Sequence, residues 1–298
     1  MIVLVTGAHG QVGHALVREA KHRSVPCIAL GRNQLDLTAP AAVEAALGGI
    51  AFTPDVVINL AAWTHVDAAE SEPDAAFRVN ALGVDTLAHA CARAGTPLLH
   101  VSTDYVFDGT ADRPYRESDP VRPINAYGGT KAAGEEALRA RLDEHLIVRT
   151  SWIFGVHGWN FVRSMLRAAG TRDDVRVVDD EVGCPTGAAA LAATLLTLAE
   201  RVTTAGFGDW GTYHYCGTPA VSRAEYARAI YDIAARIDGL PSARVIDIPS
   251  SAYPLPATRP RRVVLDCTKI RRVFGIGQPE WRPCLDRMLR DMARDGAA

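Results

Sequence analysis

Apolar residues fall along this chain in two alternating rhythms. Short β-branched runs at residues 2–6, 25–30, 55–60, 97–102 and 145–149 are apolar at nearly every position, as strands buried on both faces are. Between them, residues 11–22, 68–94 and 126–142 carry apolar side chains at helical spacing, with alanine-rich faces. Strands that alternate with helices run parallel and are joined by right-handed crossovers, which predicts a doubly wound α/β sheet. Ligands of such sheets bind beyond the carboxyl ends of the strands. After Ser151 the rhythm changes. Helical stretches at 161–169 and 187–200 precede a short strand at 212–216 and a helix at 222–237, and the proline- and arginine-rich residues 249–262 read as loop. The chain therefore divides into residues 1–150, the main sheet, and 151–298, mainly a smaller lobe that closes over it, with some segments returning to the sheet.

The 298 residues carry a formal charge of −2, which argues against a nucleic-acid partner, since that would ask for a basic face. A small anionic ligand needs only a few placed arginines. No basic segment precedes the first apolar run, so it does not read as a signal peptide. The longest apolar stretch, residues 188–199, is interrupted by Thr194 and Thr197 and falls short of the roughly 20 residues that span a bilayer. The expectation is a buried helix in a cytoplasmic protein with no membrane partner. Cys27, Cys91, Cys184, Cys216, Cys267 and Cys284 show no C-x-x-C spacing and read as reduced structural thiols.

Candidate chemistry begins directly after the first strand, at Thr6-Gly7-Ala8-His9-Gly10-Gln11-Val12-Gly13. Gly7, Gly10 and Gly13 let the backbone turn tightly and approach a pyrophosphate, and the following helix offers free N–H groups to it. Strand, glycine turn and helix together predict a Rossmann-like dinucleotide-binding unit over residues 1–150. Gly31-Arg32 ends the second strand, where an acidic residue would hold the ribose hydroxyls of NAD. An arginine there suits a 2′-phosphate instead, so NADPH is expected ahead of NADH; a solvated surface arginine is the plainer alternative. Asp36-Leu37 follows near the adenine end, and Ala61-Ala62-Trp63-Thr64 ends the third strand near the nicotinamide half.

Tyr127-Gly128-Gly129-Thr130-Lys131 carries the most information. Tyr127 and Lys131, four apart at the start of a helix, share one face. A phenol with a pKa of about 10 is a poor acid or base at neutral pH. A neighbouring lysine cation lowers that value and suits the pair to proton transfer at a carbonyl oxygen as hydride reaches its carbon. Thr103 closes the fourth strand, where its hydroxyl can bond the same carbonyl. Ser102 is its rival, because strand alternation points the two in opposite directions. Arg259 offers a fork for a diphosphate, or is a plain loop arginine. Asp67 and Glu70 stand three apart at a helix start and read as capping or dipole-stabilising acids. His65, His100 and His214 lack metal-ligand spacing, and no metal is expected.

The chain is identified by its segments as similar to the extended short-chain dehydrogenase/reductases that act on nucleotide sugars. T-G-A-H-G-Q-V-G, V-I-N-L-A-A-W-T-H-V-D-A-A-E, V-N-A-L-G-V, V-S-T-D-Y-V-F-D-G, Y-G-G-T-K-A-A-G-E, V-R-T-S-W-I-F-G and V-G-C-P-T-G run in family order from residue 4 to about 187, and P-A-T-R-P is a weaker match at 256–260. Within the family it most resembles reductases of 4-keto-6-deoxy sugars carried on dTDP. The resemblance implies Gly10, Gln11, Val12, Asp36, Leu37, Ala62, Trp63 and Thr64 at the cofactor, with Tyr127 and Lys131 also touching its ribose. It implies Thr103 and Asp104 at the sugar nucleotide, Tyr127 as proton donor, Trp152 against the sugar and Asn80 as a backbone organiser. Without it, Trp152 reads as a core aromatic and Asn80 as a helix-surface amide.

The likeness has departures. Carboxylates that hold a magnesium ion at a dimer contact in some relatives are replaced here by Ala15 and Ala189, leaving Asp291, and alanine cannot ligate magnesium. A monomer or weak homodimer without a bridging metal is therefore expected. Glu181 stands where the family has glutamine, and the Gly128-Gly129 pair weakens its helix. Three other activities compete with reduction. Dehydratases of the group place an acid where this chain has Tyr105. An epimerase needs fewer changes, and a cofactor-binding regulatory subunit, like the beta subunit of methionine adenosyltransferase, needs no turnover.

Overall fold

The structure, a computed structural model, describes residues 1–48 and 53–294. Six parallel strands form the central sheet: β1 (Val3–Thr6), β2 (Cys27–Leu30), β3 (Val56–Asn59), β4 (Leu98–Thr103), β5 (His145–Thr150) and β6 (Gly211–His214). They lie in the order β6-β5-β4-β3-β1-β2. The order reverses beside β1, so the carboxyl ends of β1, β3 and β4 frame one crevice. β6 comes from the second half of the chain and pairs in parallel with β5, Gly211 opposite Leu146.

The strands are apolar throughout because helices cover both faces. On one face Val3, Val5, Ile58, Leu99 and Val148 pack with Leu16 of α1 (Gln11–His22) and with Leu191 and Leu195 of a helix at Ala188–Val202. On the other, Leu4, Val57, Leu98 and Ile147 meet Val84 and Leu87 of α2 (Gly83–Ala94) and Leu138 of α3 (Ala126–Arg141). The apolar stretch over 188–199 lies within that long buried helix. No helix among the described residues is long and apolar enough to cross a membrane.

The single helix expected over 68–94 is broken. Val66–Ser71 and Pro73–Phe77 are separate turns, because Pro73 cannot donate a backbone N–H and opens a new helix instead. A π-helical turn, Arg78–Leu82, then joins directly to α2. Its wider ring turns Asn80 inward, where it is fully buried. The smaller lobe packs Phe154, Val162, Tyr226, Trp281 and Leu285 in a core of its own. It also contains a parallel strand pair, Asp174–Val178 with Arg244–Ile248, that the sequence pattern does not announce.

Candidate active site

The glycine loop is built for close approach. Gly7 has φ +66°, and a Cβ on it would sit 2.5 Å from the backbone nitrogen of Ala61. A Cβ on Gly13 would sit 2.5 Å from the Ala8 carbonyl. Gly10 is the N-cap of α1 and supplies no side-chain cap, so the first N–H groups of α1 stay available to an anion. Val12 is buried in the main core, whereas Gln11 reaches out to the smaller lobe. Gln11 Nε2 donates to the Trp159 carbonyl at 3.3 Å, and Gln11 Oε1 accepts from Asn160 Nδ2 at 3.0 Å. The loop therefore carries one of the contacts that hold the two lobes together.

At the end of β2 the Arg32 side chain is 79% exposed, with Asp36 3.7 Å from its Nε. Asp36 is chiefly engaged by Thr38, whose N–H and hydroxyl hold its carboxyl below the usual range. Leu37 is different from its sequence neighbour. Its side chain is buried among Leu35, Val43 and Val84 and packs in the core. Beyond β3, Ala61 N donates to Asn59 Oδ1 at 3.0 Å. Trp63 is held by Asn80, which accepts from Trp63 N at 2.8 Å and donates to its carbonyl at 3.1 Å. Asn80 also donates to Thr130 on α3 at 3.0 Å. The helix-surface reading of Asn80 is thus overturned, for the π-helical turn buries it.

Thr103 and Tyr127 come together, and the rivalry with Ser102 resolves. The Thr103 hydroxyl lies beside the Tyr127 phenol and donates to Asp104 Oδ1 at 3.1 Å, whereas the Ser102 hydroxyl is buried on the Glu135 side with no hydrogen-bond partner among the described residues. Asn125 caps α3 by accepting from Gly128 N at 2.8 Å. Gly128 is no loosening defect: a Cβ there would lie 2.1 Å from the Tyr105 carbonyl, so glycine is what lets the first turn of α3 rest on that segment. Tyr105 meets Tyr127 edge to face at 5.8 Å between ring centroids.

The electrostatics differ from the simple expectation. Lys131 is 2% exposed, and its Nζ donates to the Val101 carbonyl at 2.8 Å and lies 3.2 Å from His100 Nε2. Burial lowers its pKa to about 8, against the pull of Glu135. Burial pushes the Tyr127 phenol above its ordinary value, opposed by the Thr103 hydrogen bond. With Lys131 turned toward His100, its charge is not among the groups that lower the phenol. Tyr127 is held as an acid at neutral pH, with a proton to give. Asp104 is also buried, which raises it to about 7.

Trp152 adopts φ +43°, a conformation costing a non-glycine residue roughly 1–3 kcal/mol. Its indole rests on Gly183, and the Arg223 guanidinium lies 3.5 Å from a ring centroid. Arg223 is 3.7 Å from Glu181, so Trp152 belongs to a tryptophan–arginine–glutamate group. Arg259 makes the contacts of a loop arginine, one of the two readings its sequence position offered. Its Nη1 and Nη2 donate to the two carboxylate oxygens of Asp67 at 2.5 and 2.6 Å. With its fork on Asp67 it anchors the 256–260 loop to the Val66–Ser71 helix. Glu70 accepts from Ala126 N at 2.8 Å, so this acid serves the start of α3.

A glycine loop without room for Cβ atoms, a threonine–tyrosine pair and a buried lysine thus share one crevice. Over residues 1–294 the chain matches the family described as the RmlD substrate binding domain. The chain belongs to that family. It is 40% identical to a dTDP-4-dehydrorhamnose reductase of Sinorhizobium fredii over 297 residues, 99% of each chain. Its fold follows the crystal structure of a dTDP-4-dehydrorhamnose reductase from Clostridium acetobutylicum, with TM-score 0.90, 35% identity, and coverage of 99% of this chain and 100% of that one. The Bacillus anthracis dTDP-4-dehydrorhamnose reductase, solved in complex with NADP, gives TM-score 0.89 at 32% identity over 98% of this chain and all of that one.

Within this RmlD-family crevice, three residues were not singled out for these positions from the sequence. Arg223 is the first helical residue after Ser222, and the Ser222–Glu225 capping box is the only local signal that places it. Asn59 reads as one more residue of a buried strand. His100 drew notice only as a histidine without metal-ligand spacing.

Proposed function

We propose that this chain reduces the C4 ketone of dTDP-4-dehydrorhamnose, giving dTDP-L-rhamnose, with NADPH as the preferred reductant. The observation that carries the reading is the placement of Thr103 beside Tyr127 at the carboxyl end of β4, with Lys131 buried one turn further along α3, in a chain whose full-length relatives bear that activity. The residues present fit a dinucleotide: Gly7 and Gly13 leave a cradle that a Cβ would fill, and α1 opens with unpaired N–H groups. Gly7, Gly10, Gln11, Val12 and Gly13 would line the pyrophosphate, Arg32 and Asp36 the adenosine end, and Ala61, Ala62, Trp63 and Thr64 the nicotinamide half. Leu37 would contribute through its backbone.

When bound, the reduced nicotinamide supplies a hydride to the ketone carbon. Thr103 and Tyr127 orient the ketone by hydrogen bonds to its oxygen. Tyr127 gives its phenolic proton to that oxygen as negative charge develops, a transfer that its protonated state at neutral pH favours. Lys131 stands one helical turn away to restore the proton. Asp104 and the Trp152–Arg223 pair border the sugar, and Arg223 is placed to meet a phosphate oxygen. Gln11 closes the crevice edge against the smaller lobe and limits water at the reacting centre.

The test is NADPH oxidation with dTDP-4-dehydrorhamnose made in a coupled synthesis, with the product identified by chromatography. NADPH consumption that depends on the sugar nucleotide supports the reading. Turnover of a different keto sugar, with none of this one, would replace the substrate while keeping the chemistry.

A further inference from the structure

Lys131 is the visible end of a fully buried hydrogen-bond chain that begins under the glycine loop. Thr6 Oγ1 donates to Asn59 Oδ1 at 2.6 Å, and Ala61 N donates to the same oxygen at 3.0 Å. Asn59 Nδ2 lies 3.0 Å from His100 Nδ1, and His100 Nε2 lies 3.2 Å from Lys131 Nζ. Thr6, Asn59 and His100 are each 0% exposed, so bulk solvent does not relax their polarity.

The direction of each bond can be read along the chain. A backbone N–H only donates, so the Ala61 contact fixes Oδ1 of Asn59 on its side. The amide nitrogen then faces His100, and because it too only donates, His100 Nδ1 must be the acceptor. A neutral imidazole with a bare Nδ1 carries its proton on Nε2, the atom turned toward Lys131. An ammonium has no lone pair to receive that N–H, whereas an amine does. An amine at Nζ accepts from His100 and donates to the Val101 carbonyl, which satisfies every group. Imidazolium is excluded on the same ground, since the Nδ1–H it adds would be set against the Asn59 amide N–H; burial agrees, holding the His100 pKa well below its usual value.

We propose that Asn59 and His100 are positioning residues that present an N–H to Lys131, so that the lysine readily releases its proton. The inference rests on the reductase reading for its purpose. Once the Tyr127 O–H bond breaks and an O–H bond forms on the sugar, the phenolate needs a proton. An N–H bond of the Lys131 ammonium breaks to supply it, and the resulting amine is held by His100 until water reprotonates it. The titratable groups facing the pair are Glu135 on the same helix, Arg139 and Arg149 through Glu135, and His145 from β5. Of these, Glu135 pulls against the release, and its two arginines reduce that pull.

The chain has three lysines, Lys21, Lys131 and Lys269, so a Lys21→Arg/Lys269→Arg background leaves one lysine signal, and labelled-lysine NMR follows Lys131 alone. Histidine nitrogen NMR reads the His100 tautomer in the unaltered chain, assigned against His100→Gln. Asn59→Asp keeps an acceptor for Thr6 and Ala61 and offers its second oxygen to a proton on His100 Nδ1, which reverses the tautomer. His100→Gln adds no charge and can turn an amide oxygen to Nζ. The proposal expects Nε2–H in the wild type and a Lys131 midpoint about one pH unit higher in both variants, a roughly tenfold gain in proton affinity. The alkaline limb of kcat moves with it. A wild-type Nδ1–H tautomer overturns the proposal even where a variant fails to fold, and so does an unmoved Lys131 midpoint in folded variants. Because the NMR readings need no turnover, failure of the assigned substrate is separable from failure of this relay.

Discussion

Asn80 grips the peptide groups of Trp63 from both ends of the residue, accepting from its N–H at 2.8 Å and donating to its carbonyl at 3.1 Å. A π-helical turn puts it there, and its second amide hydrogen is fixed by Thr130 on α3. The strand-end segment that would lie along the nicotinamide is thereby tied to the helix that carries Tyr127 and Lys131. Asn80→Ala should leave a buried N–H and carbonyl unpaired, at a cost of about 1–3 kcal/mol of stability. It should also weaken NADPH binding by roughly tenfold, because the Ala61–Thr64 backbone loses its fixed shape. Thermal melts and fluorescence titration check both; unchanged cofactor affinity would confine Asn80 to stability.

Tyr127→Phe removes the proton donor while keeping the ring against Tyr105. Turnover should fall by about 10²- to 10⁴-fold with NADPH affinity nearly unchanged. Steady-state kinetics and cofactor titration separate the two, and near-normal kcat would remove Tyr127 from its role.

The sheet was legible because its strands are covered on both faces and so read as continuous apolar runs, as Val3-Leu4-Val5 and Val56-Val57-Ile58 do. Tyr127 and Lys131 were legible through four-residue spacing at a helix start after the fourth strand, together with the family resemblance, and the glycine loop through its place after β1. Asp174–Val178 was not, because its exposed face is charged and its partner strand lies 70 residues away. The resemblance implied Asn80 as a backbone organiser, but its burial needed the π-helical turn, which no periodicity signals. The engagement of Arg259 by Asp67 spans 192 residues, so no local pattern records it. Asn59 and His100 share a hydrogen-bond chain that exists only once β3 and β4 are neighbours.

Arg32 carries the cofactor preference in this account. Its side chain is solvent-exposed at the end of β2, and its ion pair with Asp36, at 3.7 Å, engages Nε. Arg32→Ala should weaken NADPH by about tenfold and leave NADH almost unaffected. Equal losses for both cofactors would withdraw the 2′-phosphate assignment.

Stability should fall on the acid side for a definite reason. Burial and the nearby Arg149 hold the His214 pKa down at about 3. In the unfolded chain the same imidazole protonates at about 6.5. Between these values the unfolded chain binds a proton that the folded chain refuses, so lowering the pH through this window favours unfolding. His214→Asn should flatten the dependence of the melting temperature on pH there. An undiminished slope would assign the acid sensitivity to other groups.

The central claim is that this crevice reduces the ketone of a dTDP-linked 4-keto-6-deoxy sugar. The most direct measurement follows NADPH absorbance with dTDP-4-dehydrorhamnose, in wild type and Tyr127→Phe, alongside a control without the sugar nucleotide. The account predicts sugar-dependent oxidation with dTDP-L-rhamnose as product in the wild type, and near-background rates in the variant. Measurable NADPH binding with no oxidation in the wild type, with NADPH or NADH, would contradict it.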